Sequence, residues 1–151
     1  MKIIMFTVGL LAASLSGAHG AEQQREYNTW HKKNGVLYGM TQTAEHEPVL
    51  VSIGNAGFES ANMVVSYTRS GNCDEAGRSA KLEIDGKIVP AEYRCFPLKD
   101  KILEHFVIAE AAQANYVVER LTSDFTVLIQ KDIKLWAANV KSPKFGVGPR
   151  L

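Results

Sequence analysis

The chain reads as mainly β with one helix, an α+β domain built on an antiparallel sheet. Three observations predict this class. The pairs Asn34-Gly35 and Asp85-Gly86 sit between apolar runs, and such pairs tolerate the positive φ that a two-residue hairpin needs. Short apolar runs recur between loops rich in Gly, Asn and Ser, the pattern of an all-β sheet. One stretch, Ala109 to Leu121, lacks Gly and Pro and has alanine at 109, 111, 112 and 114, which favours a helix. The expected architecture is an antiparallel sheet, sandwich or flattened barrel of seven to eight short strands, with one helix near 109–122 packed on it.

In chain order, Asn34-Gly35 predicts a hairpin of strands near 29–33 and 36–42. Val49 to Ile53 is a short buried-type strand that ends in the loop GNAGF, and Met63 to Thr68 is the next. Residues 69–79, RSGNCDEAGRS, are turn formers. Asp85-Gly86 sets a second register, with Ile84 opposite Lys87, Leu82 opposite Val89 and Ala80 opposite Ala91. Alternation then puts Val89, Ala91, Tyr93 and Cys95 on one face. Residues 101–108 fit strand or helix equally. In the helix, Ala109, Ala112, Tyr116 and Leu121 fall roughly on one stripe, and Thr122-Ser123-Asp124 ends it. FTVLIQ has the strongest strand pattern, with Phe125, Val127 and Ile129 on one face. Lys131-Asp132 turns it into IKLWAANV, which ends near Val140. The tail SPKFGVGPRL is rich in breakers and predicts a flexible end over 142–151.

Residues 1–20 predict a secretory signal peptide. Lys2 supplies the positive start, Ile3 to Leu15 is uncharged and apolar, and Ala18 and Gly20 give the small side chains that signal peptidase accepts. The cut is expected after Gly20. The remaining chain, residues 21–141 plus the tail, is expected to be one exported domain without stable membrane insertion. Of the 17 basic residues in the whole chain, Lys2 leaves with the signal, so 16 face 16 acidic ones (17 − 1 against 16). No run of one sign occurs, which argues against a nucleic-acid partner. Cys73 and Cys95 both fall in the mature region. An isolated pair in an oxidising compartment is expected to form a disulfide, and the pair lacks the C-x-x-C spacing of redox sites.

Chemistry is hard to find. His31, His46 and His105 are not paired at metal-ligand spacing. His46, between Glu45 and Glu47, fits either a weak cation site or a solvated polar loop. Ser70-Gly71 is not in a nucleophile elbow. Asp74 and Glu75 beside Cys73 would oppose a thiolate, and they lack calcium-loop spacing. No cofactor, metal site or catalytic residue is therefore expected. Most aromatic residues fall at core-compatible strand positions. Phe58, after GNAG, and Phe96, before Pro97, sit in or beside loops; such residues either anchor an interface or tuck under the loop as satellite core.

An early Trp strand at Trp30, the stretch IDGKIVPAEYRC and the segment YVVERLTSDFTVLI follow one another in this chain. That order resembles the invasion-associated locus B family of small periplasmic proteins across most of the mature region. The resemblance implies an architecture and a periplasmic setting, and it carries no site residues across. The chain departs from the family at SIGNAGF, where members have a further cysteine. The function expected is a small non-enzymatic protein of the bacterial cell envelope that binds or inhibits a periplasmic or envelope protein, with Phe58 and Phe96 as candidate interface. The alternatives are a secretion- or stress-linked accessory factor and, less favoured, a hydrolase with an unrecognised site.

Overall fold

The computed structural model describes residues 25–73, 78–146 and 149–151. The expected signal peptide with its expected cut before Ala21, and Asp74 and Glu75, lie outside the described residues. The strands are β1 (Trp30–Lys33), β2 (Val36–Gln42), β3 (Pro48–Gly54), β4 (Asn62–Arg69), β5 (Ser79–Ile84), β6 (Lys87–Pro97), β7 (Ile102–Ile108), β8 (Val127–Ile129), β9 (Ile133–Leu135) and β10 (Lys144–Phe145), with the helix α1 (Ala111–Thr122) between β7 and β8. The mainly β class with one helix holds.

The finer expectation needs correction. Among the described residues the sheet has ten strands, in the order β10-β1-β2-β3-β4-β7-β6-β5-β8-β9. It is a single sheet, not a sandwich, and it is mixed, because β10 runs parallel to β1. Residues 101–108, which fit strand or helix, form the strand β7, and the unforeseen strand β10 is two residues long, below the length at which periodicity can be read. FTVLIQ contributes only Val127–Ile129, and IKLWAANV only Ile133–Leu135.

The two glycine turns behave as their sequences dictate. Asn34 and Asp85 have φ of 52° and 48°, and Gly35 and Gly86 have 78° and 77°. The β5–β6 register pairs Ile84 with Lys87, Leu82 with Val89 and Ala80 with Ala91.

Register assigns every side chain of the long strands to a face. Trp30, Gly39, Val51, Val65, Phe106 and Tyr93 form one row on the concave face; Thr41, Val49, Tyr67, Glu104 and Cys95 form the next. The main core sits there and includes Trp30, Val51, Ile53, Met63, Val65 and Leu82. Helix α1 closes one end of it with Ala114, Val117 and Leu121. Of the expected stripe only Leu121 is buried; Ala109 and Ala112 are exposed. The step from Tyr116 to Leu121 is five residues, well off one face of a 3.6-residue helix, whereas Ala114, Val117 and Leu121 keep the three- and four-residue steps.

The sheet curls until its far ends meet. The Trp30 indole N–H donates to the Trp136 carbonyl at 2.8 Å, and the Thr41 hydroxyl donates to the Lys134 carbonyl at 2.8 Å. Gly39 makes the first contact possible: a Cβ there would lie 2.8 Å from the Trp30 ring. Three aromatic residues expected to be core-compatible, Phe125, Trp136 and Phe145, are exposed: Phe125 precedes β8, Trp136 follows β9, and Phe145 lies in the edge strand β10.

Candidate functional site

The loop between β3 and β4 presents Phe58. Ala61 is buried and Ala56 packs against the core, so the loop is anchored on both sides of the phenylalanine. Asn55 and Gly57 take positive φ, 50° and 88°, and the backbone turns twice: Phe58 N–H donates to the Asn55 carbonyl and Ala61 N–H to the Phe58 carbonyl, both at 3.1 Å. Helix α1 then fixes the turn. Asn115, next to the buried Ala114, accepts the Gly57 N–H at 2.7 Å through Oδ1 and donates through Nδ2 to the Phe58 carbonyl at 3.0 Å. One carboxamide thus clamps the main chain on both sides of the Phe58 N–Cα unit. The Phe58 side chain points outward and is 69% exposed. It is not satellite core.

Phe96 lies elsewhere. It is a β6 residue opposite Leu103, which pairs with Thr68 on β4. From Asn62, beside the Phe58 loop, to Thr68 is six residues of strand, ~20 Å. The structure does not bring Phe58 and Phe96 together. Phe96 is 47% exposed and belongs to the convex face, where its ring meets the His105 ring edge-on at 5.3 Å.

His105 lies beside Phe96 on that face. Its Nδ1 lies 2.6 Å from the Ser66 hydroxyl on the neighbouring strand, with Arg94 opposite on β6. Burial, then the charge of Arg94, hold the imidazole below its ordinary pKa. The neutral ring can accept the Ser66 proton, but a nucleophile needs its base oriented by a third group and a site for the reacting atom. No such third group is hydrogen-bonded to His105 among the described residues.

A second polar cluster lies on the concave face, away from the helix. Glu104 is 3% exposed. Its Oε1 accepts the Tyr93 hydroxyl at 2.7 Å and its Oε2 accepts Arg69 Nε at 2.6 Å. The hydrogen bond to Glu104 raises the Arg69 pKa, and burial followed by Glu104 raises that of Tyr93. Burial, with Glu104 adding to it, pushes the Tyr67 phenol up to about 12. Cys95 is directly opposite Glu104 in the ladder and forms the disulfide with Cys73, with Cα atoms 5.5 Å apart. This cluster joins three strands to the disulfide loop, and both carboxylate oxygens are used in doing so.

The other two described histidines have local neighbours. His46 has φ 67° and its Nδ1 lies 3.0 Å from the Ala44 carbonyl, while Glu47 bonds Lys101 at 3.1 Å and is not available to a shared cation site. His31 lies 3.2 Å from Glu26. Among the described residues no three His, Cys, Asp or Glu side chains are grouped to hold a metal ion, and no helix is long and apolar enough to cross a membrane. Asn115 is the residue sequence reasoning missed; a lone Asn in a helix has no signal until the loop it clamps is placed beside it.

The fold and site define a curled single-sheet domain, plugged by one helix, that presents a clamped aromatic loop. In comparisons with protein families, curated proteins and solved structures, nothing matches this chain.

Proposed function

We propose that the protein is a small exported protein of the cell envelope that binds another protein without catalysis, with Phe58 as its anchor. One observation carries this reading: the Phe58 side chain is turned outward while Asn115 holds its backbone on both sides. A rigid aromatic offers large apolar contact area at little entropic cost on binding. The apolar start of the sequence and the Cys73–Cys95 disulfide support an oxidising, periplasmic setting, in keeping with the likeness to the invasion-associated locus B outline.

The test is capture from periplasmic extract on the immobilised protein, followed by affinity measurement with the captured protein. Phe58→Ala is expected to weaken binding about fivefold or more, which is about 1 kcal/mol, and to leave the melting temperature unchanged. Affinity equal to that of the unmodified protein would remove Phe58 as the anchor.

A further inference from the structure

The free side of β1 is covered by the last segment of the described chain. The Asn34-Gly35 turn makes Lys33 and Val36 a hydrogen-bonded pair. Alternation along β1 then turns the main-chain groups of Trp30 and Lys32 away from β2. Those of Trp30 are taken by one side chain: Asn139 Oδ1 accepts the Trp30 N–H at 2.7 Å, and Asn139 Nδ2 donates to the Trp30 carbonyl at 3.0 Å. The carboxamide stands in for a strand residue. Lys32 faces β10, whose Lys144 and Phe145 pair with His31 and Lys32.

The two covers differ in how they are held. Asn139 is followed by Val140, which is buried in the core. Both β10 residues are exposed, Phe145 by 84%, so β10 buries no apolar side chain. Its side-chain tie is the exposed ion pair of Lys144 with Glu26 at 2.8 Å, and pairs of that kind add little. Displacing β10 would uncover the Lys32 N–H and carbonyl, a ready template for a further strand.

Charge selects the occupant. Lys32 and Lys33 are exposed, and neither has an ion-pair partner among the described residues. Two copies of β1 placed edge to edge would set these lysines against each other, which is unfavourable across a ladder. A strand bearing carboxylates would meet them favourably. We propose that the β1 edge is a docking site for an extended acidic peptide segment of another protein, which displaces β10 and adds a strand beside Lys32. Strand addition of this type draws affinity from the main chain and specificity from the flanking side chains. The site does not rest on the Phe58 reading.

The experiment titrates the 15N-labelled protein with two probes, acetyl-Glu-Val-Glu-Val-Glu-amide and acetyl-Lys-Val-Lys-Val-Lys-amide, and follows backbone amides by NMR. The acidic peptide is expected to shift the Lys32 amide, to slow its hydrogen exchange and to move the Phe145 amide to its unpaired position. It should bind on the order of tenfold more tightly than the basic peptide. Lys32→Gln combined with Lys33→Gln should weaken it several-fold with the spectrum otherwise intact. Glu26→Gln, which frees Lys144 and removes a repelling carboxylate, should strengthen it. Equal shifts with both peptides, an unmoved Lys32 amide, or a Phe145 that stays paired at saturation would each overturn the proposal. Concentration-dependent shifts along β1 without peptide would assign the edge to a second copy and overturn it too.

Discussion

The centre of the sheet and its seam are built from the same chain by different means. Strands β2, β3, β4, β7 and β6 pair along unbroken ladders six or seven residues long. Toward the two ends that form the seam, β8 meets β5 through one residue pair, and β10 meets β1 through two. There the ends are joined by side chains reaching main-chain groups, Trp30 to Trp136 and Thr41 to Lys134. A ladder repeats one weak bond many times, so losing one changes little. The seam concentrates its closure in a few residues and should be correspondingly sensitive to single substitutions.

The largest test of this difference is Trp30→Ala. It removes a buried indole and the hydrogen bond that joins the two sheet ends, and should cost about 3–5 kcal/mol by urea unfolding. A cost near that of an exposed residue would mean that the seam is not held there. Next comes the disulfide, at the open end of the sheet centre. Replacing Cys73 and Cys95 by alanine frees a separation of 22 residues and should cost about 3 kcal/mol through the unfolded chain, read as a lower denaturation midpoint.

Glu104→Ala belongs to the same end and should cost about 2–3 kcal/mol, because it takes the acceptor from the buried Tyr93 hydroxyl and opens a cavity. Part of the loss is spared because Arg69, its other partner, is half-exposed. Thr41→Val preserves shape and removes the bond to the Lys134 carbonyl, so about 1 kcal/mol should go. If Thr41→Val costs as much as Trp30→Ala, closure is shared evenly along the seam and not concentrated at the tryptophan.

The smallest effect expected is on the convex face and is one of pH. The folded-state pKa of His105 lies below its ordinary value of 6.5. As pH falls through 6.5 the unfolded chain takes up a proton while the folded protein resists it, so stability declines until the folded-state pKa is reached. Above pH 6.5 both states are neutral and the contribution is flat. His105→Gln should flatten this acid slope in denaturation midpoints between pH 7.5 and 5. An unchanged slope would place the acid sensitivity in other groups.

The hairpins could be read from the sequence because their causes are local, and the disulfide because the chain has only two cysteines. Asn-Gly and Asp-Gly fix turn geometry within two residues, and that geometry sets the whole β5–β6 register. Short apolar runs such as Val49–Ile53, bounded by loop residues, were legible for the same reason. The two candidate aromatics were legible as unusual positions but not as sites. Their sequence contexts look alike, yet Phe58 is clamped beside α1 and Phe96 stands in a strand ~20 Å away.

What the sequence determined by itself was therefore the class, the turns, most strand positions and the pair of cysteines, all set by interactions within a few residues or by composition. Only the tertiary structure decided the order of strands, the curl that brings Trp30 to Trp136, the burial of Glu104, the stripe of α1 that is buried, and Asn115 as the clamp on Phe58. Each depends on partners 11 to 106 residues apart in the chain. Contacts at that range are chosen by how the whole sheet closes over its core, and no local pattern encodes that choice.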